Sequence, residues 1–498
     1  MEYFINCNSS PLAEYNTPLD KTRAEHLYRR LGFSASVQTI TAAVGQTAGN
    51  LVDNLMNQAL AAPVIPPPEW ADWTNANYPE DDDLARPIKR AQQEEFTLSY
   101  VNSLLDNNLR DRMSFFWSNH FVTELDVYNC NSFLYYYINC LQRNALGNFR
   151  TFVSEIGLTS AMLYYLDGVR NRGNNPNENY ARELYELFTL GEGNGYTEED
   201  IIETSKSLSG YTERGEEGCT QVTFDSDNFN TDNKTIFGQT GNWGYDDTID
   251  ILFTQKADLI AGFICKKLYE FFVHPDSTND QGGNAPDIIN GMAQRMVSSN
   301  FEIAPVLSEL FKSQHFFDET AIGVIIKSPF DLYLNFFKET SFTYNENDLL
   351  EVVGNSTVLG QELFDPFDVA GWQRDREWIN TNFIIGRWIS MEDLLLDLYG
   401  ADSGQFATFG VEVTIASGID PGMESDPAVV ARAIVDKLTP KGLLEQSQYD
   451  AAITVFREPY ENTNTIESGN WRITLENADA QVYLLLRHLS RQPEFQLK

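Results

Sequence analysis

Basic residues are scarce in this 498-residue chain: 35 Lys and Arg stand against 72 Asp and Glu, a formal net charge of −37. Neutralising phosphates takes clustered Lys and Arg, so this balance excludes general DNA or RNA binding and docking on anionic lipid. A basic macromolecule, a metal cation or a salty environment is compatible with it. Long apolar runs are also missing. No stretch of about 18 apolar residues occurs, so no transmembrane segment is expected. The opening MEYFINCNSSPLAEY lacks the basic and continuously apolar regions of an export signal. Cysteine is sparse and odd in number: Cys7, Cys130, Cys140, Cys219 and Cys265 do not make a disulfide framework. Cys130 and Cys140 flank an aromatic run and read as buried free thiols rather than a pair. With no CxxC or CxxCH, structural zinc and covalent haem have no local support. GxSxG, a Walker A loop and a dinucleotide GxGxxG after a strand are absent.

What is present is material for a core: 42% of residues are apolar and 13% aromatic. Such a length implies two to four domains or one large helical body. Residues 21–62 read as two helices, with Asp20 capping the first and Leu27 and Leu31 on one stripe. Pro63, Pro66, Pro67 and Pro68 then preclude a helix, leaving a linker or extended arm that continues into an acidic loop at 81–83. Helical periodicity returns over 92–152. There Leu109, Met113, Phe116, Trp117 and His120 share a stripe, as on an amphipathic helix facing a core. A second strong helix follows Pro176, with Tyr180, Ala181, Leu184, Leu187 and Phe188 inward and Gly191 as its stop. Residues 211–253 are rich in Gly, Asn, Asp and Thr, predicting loops and short strands. Helices resume over 257–272, 285–298, 302–314, 329–337 and 477–490, and a turn at 366–371 leads into an aromatic helix. The fold class is therefore mainly α. Its segments are an N-terminal helical stretch (1–62), a Pro-rich acidic arm (63–91), a central helical core with the candidate site (92–210), the excursion (211–253), and a C-terminal helical region packed on that core (254–498).

The richest polar motif lies on the second strong helix. Turning 100° per residue puts Asn179, Arg182, Glu183 and Glu186 opposite its apolar stripe. Arg182 can form ion pairs with both Glu178 and Glu186, four residues away on either side, as a solvated helix face would. The amides of Asn177 and Asn179 can cap the helix start and still address a ligand. His120 faces inward beside Asn119. An imidazole near a carboxylate suits general acid–base work, although a satisfied core histidine is the commoner reading of that pattern. His26, Arg29 and Arg30 read as structural partners of internal carboxylates. Trp372, Arg374, Asp375, Arg376, Trp378 and Asn380 resemble a sugar-facing platform whose alternative is a packed turn leading into a helix. Asp225, Asp227 and Asp232 have carboxylate spacing suggestive of calcium but lack the Gly and terminal Glu of an EF-hand loop.

Taken in order, HLYRRLGFS from His26, FWSNHF from Phe116, NPNENYARELYELFTLG from Asn175, LYEFFV from Leu268, DPFDVAGWQRDREWI from Asp365 and the closing PEFQLK resemble the bacterial domain of unknown function 1800 family. The resemblance covers nearly the whole chain. It implies a predominantly helical protein, often exported, often found beside a sulfatase-like family that could supply a partner, and it brings no established reaction. Family members often carry a His-Asp pair before the Lys of a K-T-x-x-G segment; here Asp232 precedes Lys234 with no histidine nearby. The functional expectation is a hydrolase-like enzyme on a carbohydrate-like or envelope-derived substrate. In it His120 is acid or base, Glu183 its partner, Arg182 the anion stabiliser, and Asn119, Asn177, Glu178, Asn179, Glu186, Trp372 and Arg376 bind substrate, with no metal ligands. The alternative is a non-catalytic binding or assembly protein meeting a sulfatase-like or basic partner. Cofactor and oligomeric state have no signature in the sequence.

Overall fold

The computed structural model describes residues 10–106, 109–212, 218–275, 277, 284–461 and 463–498. Among them, 22 α-helices carry the architecture, and the strands amount to two small antiparallel ribbons, Tyr211–Thr212 with Thr223–Phe224 and Lys234–Ile236 with Gln239–Gly241. Both ribbons lie in the segment whose sequence predicts such an excursion. The second closes through Phe237 and Gly238, both with positive φ, which a tight hairpin turn requires. One hydrophobic core runs from Leu19 to Phe495, so the first and last helices pack into the same interior.

The N-terminal stretch holds three helices rather than two: Lys21–Leu31, Val37–Ala43 and Ala48–Ala61. Asp20 caps the first by accepting the Arg23 N–H. Gly32 ends it, and Gly45 at φ +84° turns the chain between the other two. The Pro-rich arm is held against the body, because Arg110 donates to the Ala62 and Pro63 carbonyls and Gln142 accepts the Ile65 N–H. The acidic run at 81–83 begins a helix, Asp82–Asp106, instead of a loop. Asp81 accepts the Asp83 N–H, and Asp82 and Asp83 stand at the positive end of the helix dipole.

Two further readings are corrected. The Leu109–Ser118 helix is buried on every side rather than amphipathic. Its polar residues are neutralised inside: Arg110 pairs with Asp111 at 2.8 Å and Arg112 with Asp331 at 2.7 Å. Cys130 is not a free thiol but is bonded to Cys219, 89 residues away in the excursion; Cys140 and Cys265 are free and buried. Spacing along the chain is blind to a partner that the fold delivers from so far. Cys7 lies outside the described residues.

Candidate active site

His120 sits just past the end of the Leu109–Ser118 helix, in an aromatic box. Its ring lies 4.5 Å from that of Phe121, 5.4 Å from that of Trp117 and 6.1 Å from that of Phe188. Nε2 is 3.1 Å from the Phe188 carbonyl oxygen. A carbonyl only accepts, so Nε2 carries the proton and Nδ1 presents a lone pair. That lone pair faces the Lys267 ammonium at 3.1 Å. Burial first, and the Lys267 charge second, hold the imidazole well below its usual pKa, so it is neutral and both of its nitrogens are engaged.

Lys267 comes from the Ala257–Phe272 helix, with Phe263 below its ammonium at 4.8 Å. Among the described residues it forms no salt bridge. Besides His120, it faces the Leu187 carbonyl at 3.4 Å. The carbonyls of Leu187 and Phe188 close the Asn179–Glu183 helix, which widens into a π-helical segment, Leu184–Thr189. The last carbonyls of a helix lack intrahelical partners and sit at its negative pole. A lysine and a histidine satisfy them here. Desolvation, with the Arg374 charge opposing a second cation, brings the Lys267 pKa down to about 8.

These groups open on a cavity of about 330 Å³. Phe115, Phe116, Phe271, Trp372 and Trp378 form its apolar walls, and Asn119, Gln361 and Gln373 add amides. Its charged lining is Lys266, Lys267, Glu270, Asp331, Arg374, Asp375 and Lys498. Glu270, one turn beyond Lys267, accepts from Arg374 at 3.1 Å and from Ser277 at 2.7 Å. Asp331 is held by Arg112 at 2.7 Å and Lys498 at 2.5 Å, and these cations depress its pKa strongly despite burial.

Of the residues singled out in the sequence, His120, Asn119 and, from the Trp372 to Asn380 set, Trp372, Arg374, Asp375 and Trp378 line this cavity. Asn119 accepts the Trp372 N–H at 2.5 Å, and the Trp372 indole N–H donates to the Glu362 carbonyl at 2.7 Å, so one wall is pinned to the turn that bears His120. Arg376 is exposed in the Asp375–Ile379 turn and is outside the lining, as are Asn177, Glu178, Asn179, Arg182, Glu183 and Glu186. Arg182 bridges Glu198 at 2.8 Å and reaches Glu178 and Glu186 at 3.4 Å each, tying its helix to the Glu198–Ser207 helix. Asn177 accepts the Asn179 N–H as a cap. Glu183 is half-buried, its pKa raised by burial and then by Glu186, and it acts on Tyr165 together with Glu124 and Asp368. That polar helix thus bears on the cavity only indirectly, through terminal carbonyls that hold His120 and Lys267. Lys267 and Glu270 were not singled out. The available signal was the adjacent pair Lys266-Lys267 in the middle of a largely apolar 16-residue helix.

Arg29 pairs with Glu339 at 2.6 Å inside the core, the structural role expected of it. Asp225 caps its own short turn by accepting the Asp227 N–H. Among the described residues no group of three or more His, Cys, Asp or Glu is gathered as metal ligands, and no helix is long and apolar enough to cross a membrane. The chain matches no curated protein and no solved structure. The family described as protein of unknown function (DUF1800) matches residues 26–497, and over that span, which includes His120, Lys267 and Arg374, the chain belongs to the DUF1800 family.

Proposed function

We propose that the chain is a hydrolase-like enzyme working in the Lys267 cavity on a carbohydrate-like, envelope-derived substrate. The observation that carries this reading is a largely buried lysine at a cavity wall, held by His120 Nδ1 and a helix C-terminus, with no salt bridge among the described residues and Glu270 within electrostatic reach. Such an ammonium, with a pKa near 8, keeps its proton at neutral pH and gives it up more readily than an exposed lysine. In this scheme Lys267 protonates the leaving oxygen as the scissile bond breaks. Glu270 takes the proton of the attacking water, and proton return from Glu270 to Lys267 restores both. His120 is a positioning residue: its neutral ring aims the ammonium. The indole-rich wall suits the face of a sugar ring.

The test is hydrolysis of glycoside and envelope-glycan panels by wild type, Lys267→Met, Glu270→Gln and His120→Asn. Wild-type turnover should fall on an alkaline limb near pH 8, and Lys267→Met should lose about 10²–10⁴-fold in kcat. His120→Asn should move that limb to lower pH, because the imidazole lone pair that faces the ammonium favours its charged form and its loss leaves burial less opposed. Folded wild type without turnover, or a limb unmoved in both variants, overturns the reading. The second reading, a binding or assembly protein meeting a sulfatase-like or basic partner, is favoured by the acidic surface and would show ligand or partner capture without turnover.

A further inference from the structure

The cavity is a cationic enclave in an acidic protein. Four of its lining residues are Lys or Arg and three are Asp or Glu, whereas the chain as a whole carries twice as many acids as bases. Two of the three acids on its walls, Asp331 and Glu270, are already engaged, and Asp375 forms no salt bridge among the described residues. Both oxygens of Asp331 are occupied, by Arg112 and Lys498, and Arg30 stands behind them, buried, with Nε and Nη1 unpaired. Glu270 lies between Arg374 at 3.1 Å and Lys266 at 3.9 Å. Two cations therefore share one carboxylate at that wall, and Lys267, which also feels Glu270, forms no salt bridge of its own among the described residues. Arg374 spends a single N–H, from Nη1, on Glu270, and the rest of its fork is uncommitted among the described residues. Both Arg374 and Lys266 are substantially exposed, so they stand on the solvent side of the cavity, above the buried Lys267.

Unbalanced like charges around a desolvated cavity raise the energy of the empty site, and an anion that lies among them lowers it. Arginine in particular offers a planar fork matched to a carboxylate, sulfate or phosphate. We infer that the ligand of this cavity carries an oxyanion, held by Arg374 and Lys266 at the mouth while its ring lies against Trp372 and Trp378. This rests on the carbohydrate-like reading above and narrows it to acidic sugars. Strong negative charge elsewhere on the protein does not cancel the effect, because screening at physiological salt confines each field to about 8 Å.

Equilibrium binding of glucuronate, glucose 6-sulfate, glucose 6-phosphate and glucose to the full chain tests it, with Arg374→Gln and Lys266→Gln alongside. At least one anionic probe should bind about 10-fold or more tighter than glucose. Arg374→Gln should abolish most of that preference while leaving the melting temperature near wild type, since the side chain is exposed. The three probes separate carboxylate, sulfate and phosphate. Glucose binding equal to the acidic sugars, no anionic probe binding at about 10 mM, or a preference unchanged in both variants overturns the inference. The readout needs no turnover, so a chain that prefers acidic sugars but hydrolyses nothing retains this inference and loses the hydrolase reading.

Discussion

Lys267 shows how little a residue type says until its neighbours are known: an ordinary surface lysine would titrate above 10, and this one is brought to about 8 by burial and by Arg374. Asp365 is displaced in the opposite direction. It accepts the Asp126 N–H at 2.9 Å, but desolvation, followed by the charges of Asp126, Glu362 and Glu124, pushes its carboxyl up to about 7. A folded-state pKa above the unfolded one means that ionisation costs the folded form more. Below about pH 4 both states hold the proton and the cost is absent. As pH rises toward 7 the unfolded chain ionises first, so stability is lost across that window and stays reduced above it. Asp365→Asn keeps the oxygen that accepts the Asp126 N–H and removes the charge. Calorimetry should find its melting temperature raised at pH 8 and unchanged at pH 4. An equal shift at both values would mean that packing, not charge, decides the effect.

At the scale of elements, stripe and punctuation were legible where one face is apolar and the other wet. The helices Ala257–Phe272 and Ala285–Ser298 fall on the residues their periodicity marks, and Gly191 at φ +93° stops the polar helix as expected. Helices such as Glu346–Val358, Gly404–Ala416 and Pro427–Leu438 had no such assignment, and Leu109–Ser118 misled because a helix enclosed on all sides has no wet face to set its phase. The candidate site was half legible for the same reason. His120, Asn119, Trp372, Arg374, Asp375 and Trp378 belong to it by their side chains. The carbonyls of Leu187 and Phe188 have no side-chain signature, and Lys267 reads as a surface lysine unless the helix packed over it is known. The turn at 366–371 was visible as a turn, but its purpose was not. Gly371 has φ +92°, and a Cβ there would lie 2.3 Å from Asn119 Oδ1. Gly371→Ala should therefore push Trp372 off the wall. Denaturant unfolding should record a loss of about 1–3 kcal/mol, and tryptophan emission should shift to the red as the indole gains water. Wild-type stability and emission would show that Asn119 swings aside at no cost.

Across the whole molecule, charge and covalent bonding do different work. Most of the excess acid lies outside, while the buried ions stitch distant parts of the chain together: Arg29 reaches Glu339, and Arg112 and Lys498 converge on Asp331. These pairs fix which helices meet more than they stabilise, because desolvation offsets much of their attraction. The Cys130–Cys219 bond acts chiefly on the unfolded chain instead. It joins the start of the Asn131–Asn144 helix to the excursion and closes a loop with a sequence separation of 89. In the chain-entropy description such a closure is worth about 4–5 kcal/mol, and bonds of this kind persist in oxidising surroundings. Thiol titration of denatured protein should find two more reactive thiols after reduction than before it. Cys219→Ser should unfold at lower denaturant in an oxidised sample and match wild type once both are reduced. Equal thiol counts before and after reduction would show that the two sulfurs are unbonded in solution, and the excursion would then be tied to the body by packing and by hydrogen bonds such as those from Ser160 to Gln221, from the Val222 N–H to Ser160 and from the Gly173 N–H to the Asn228 carbonyl.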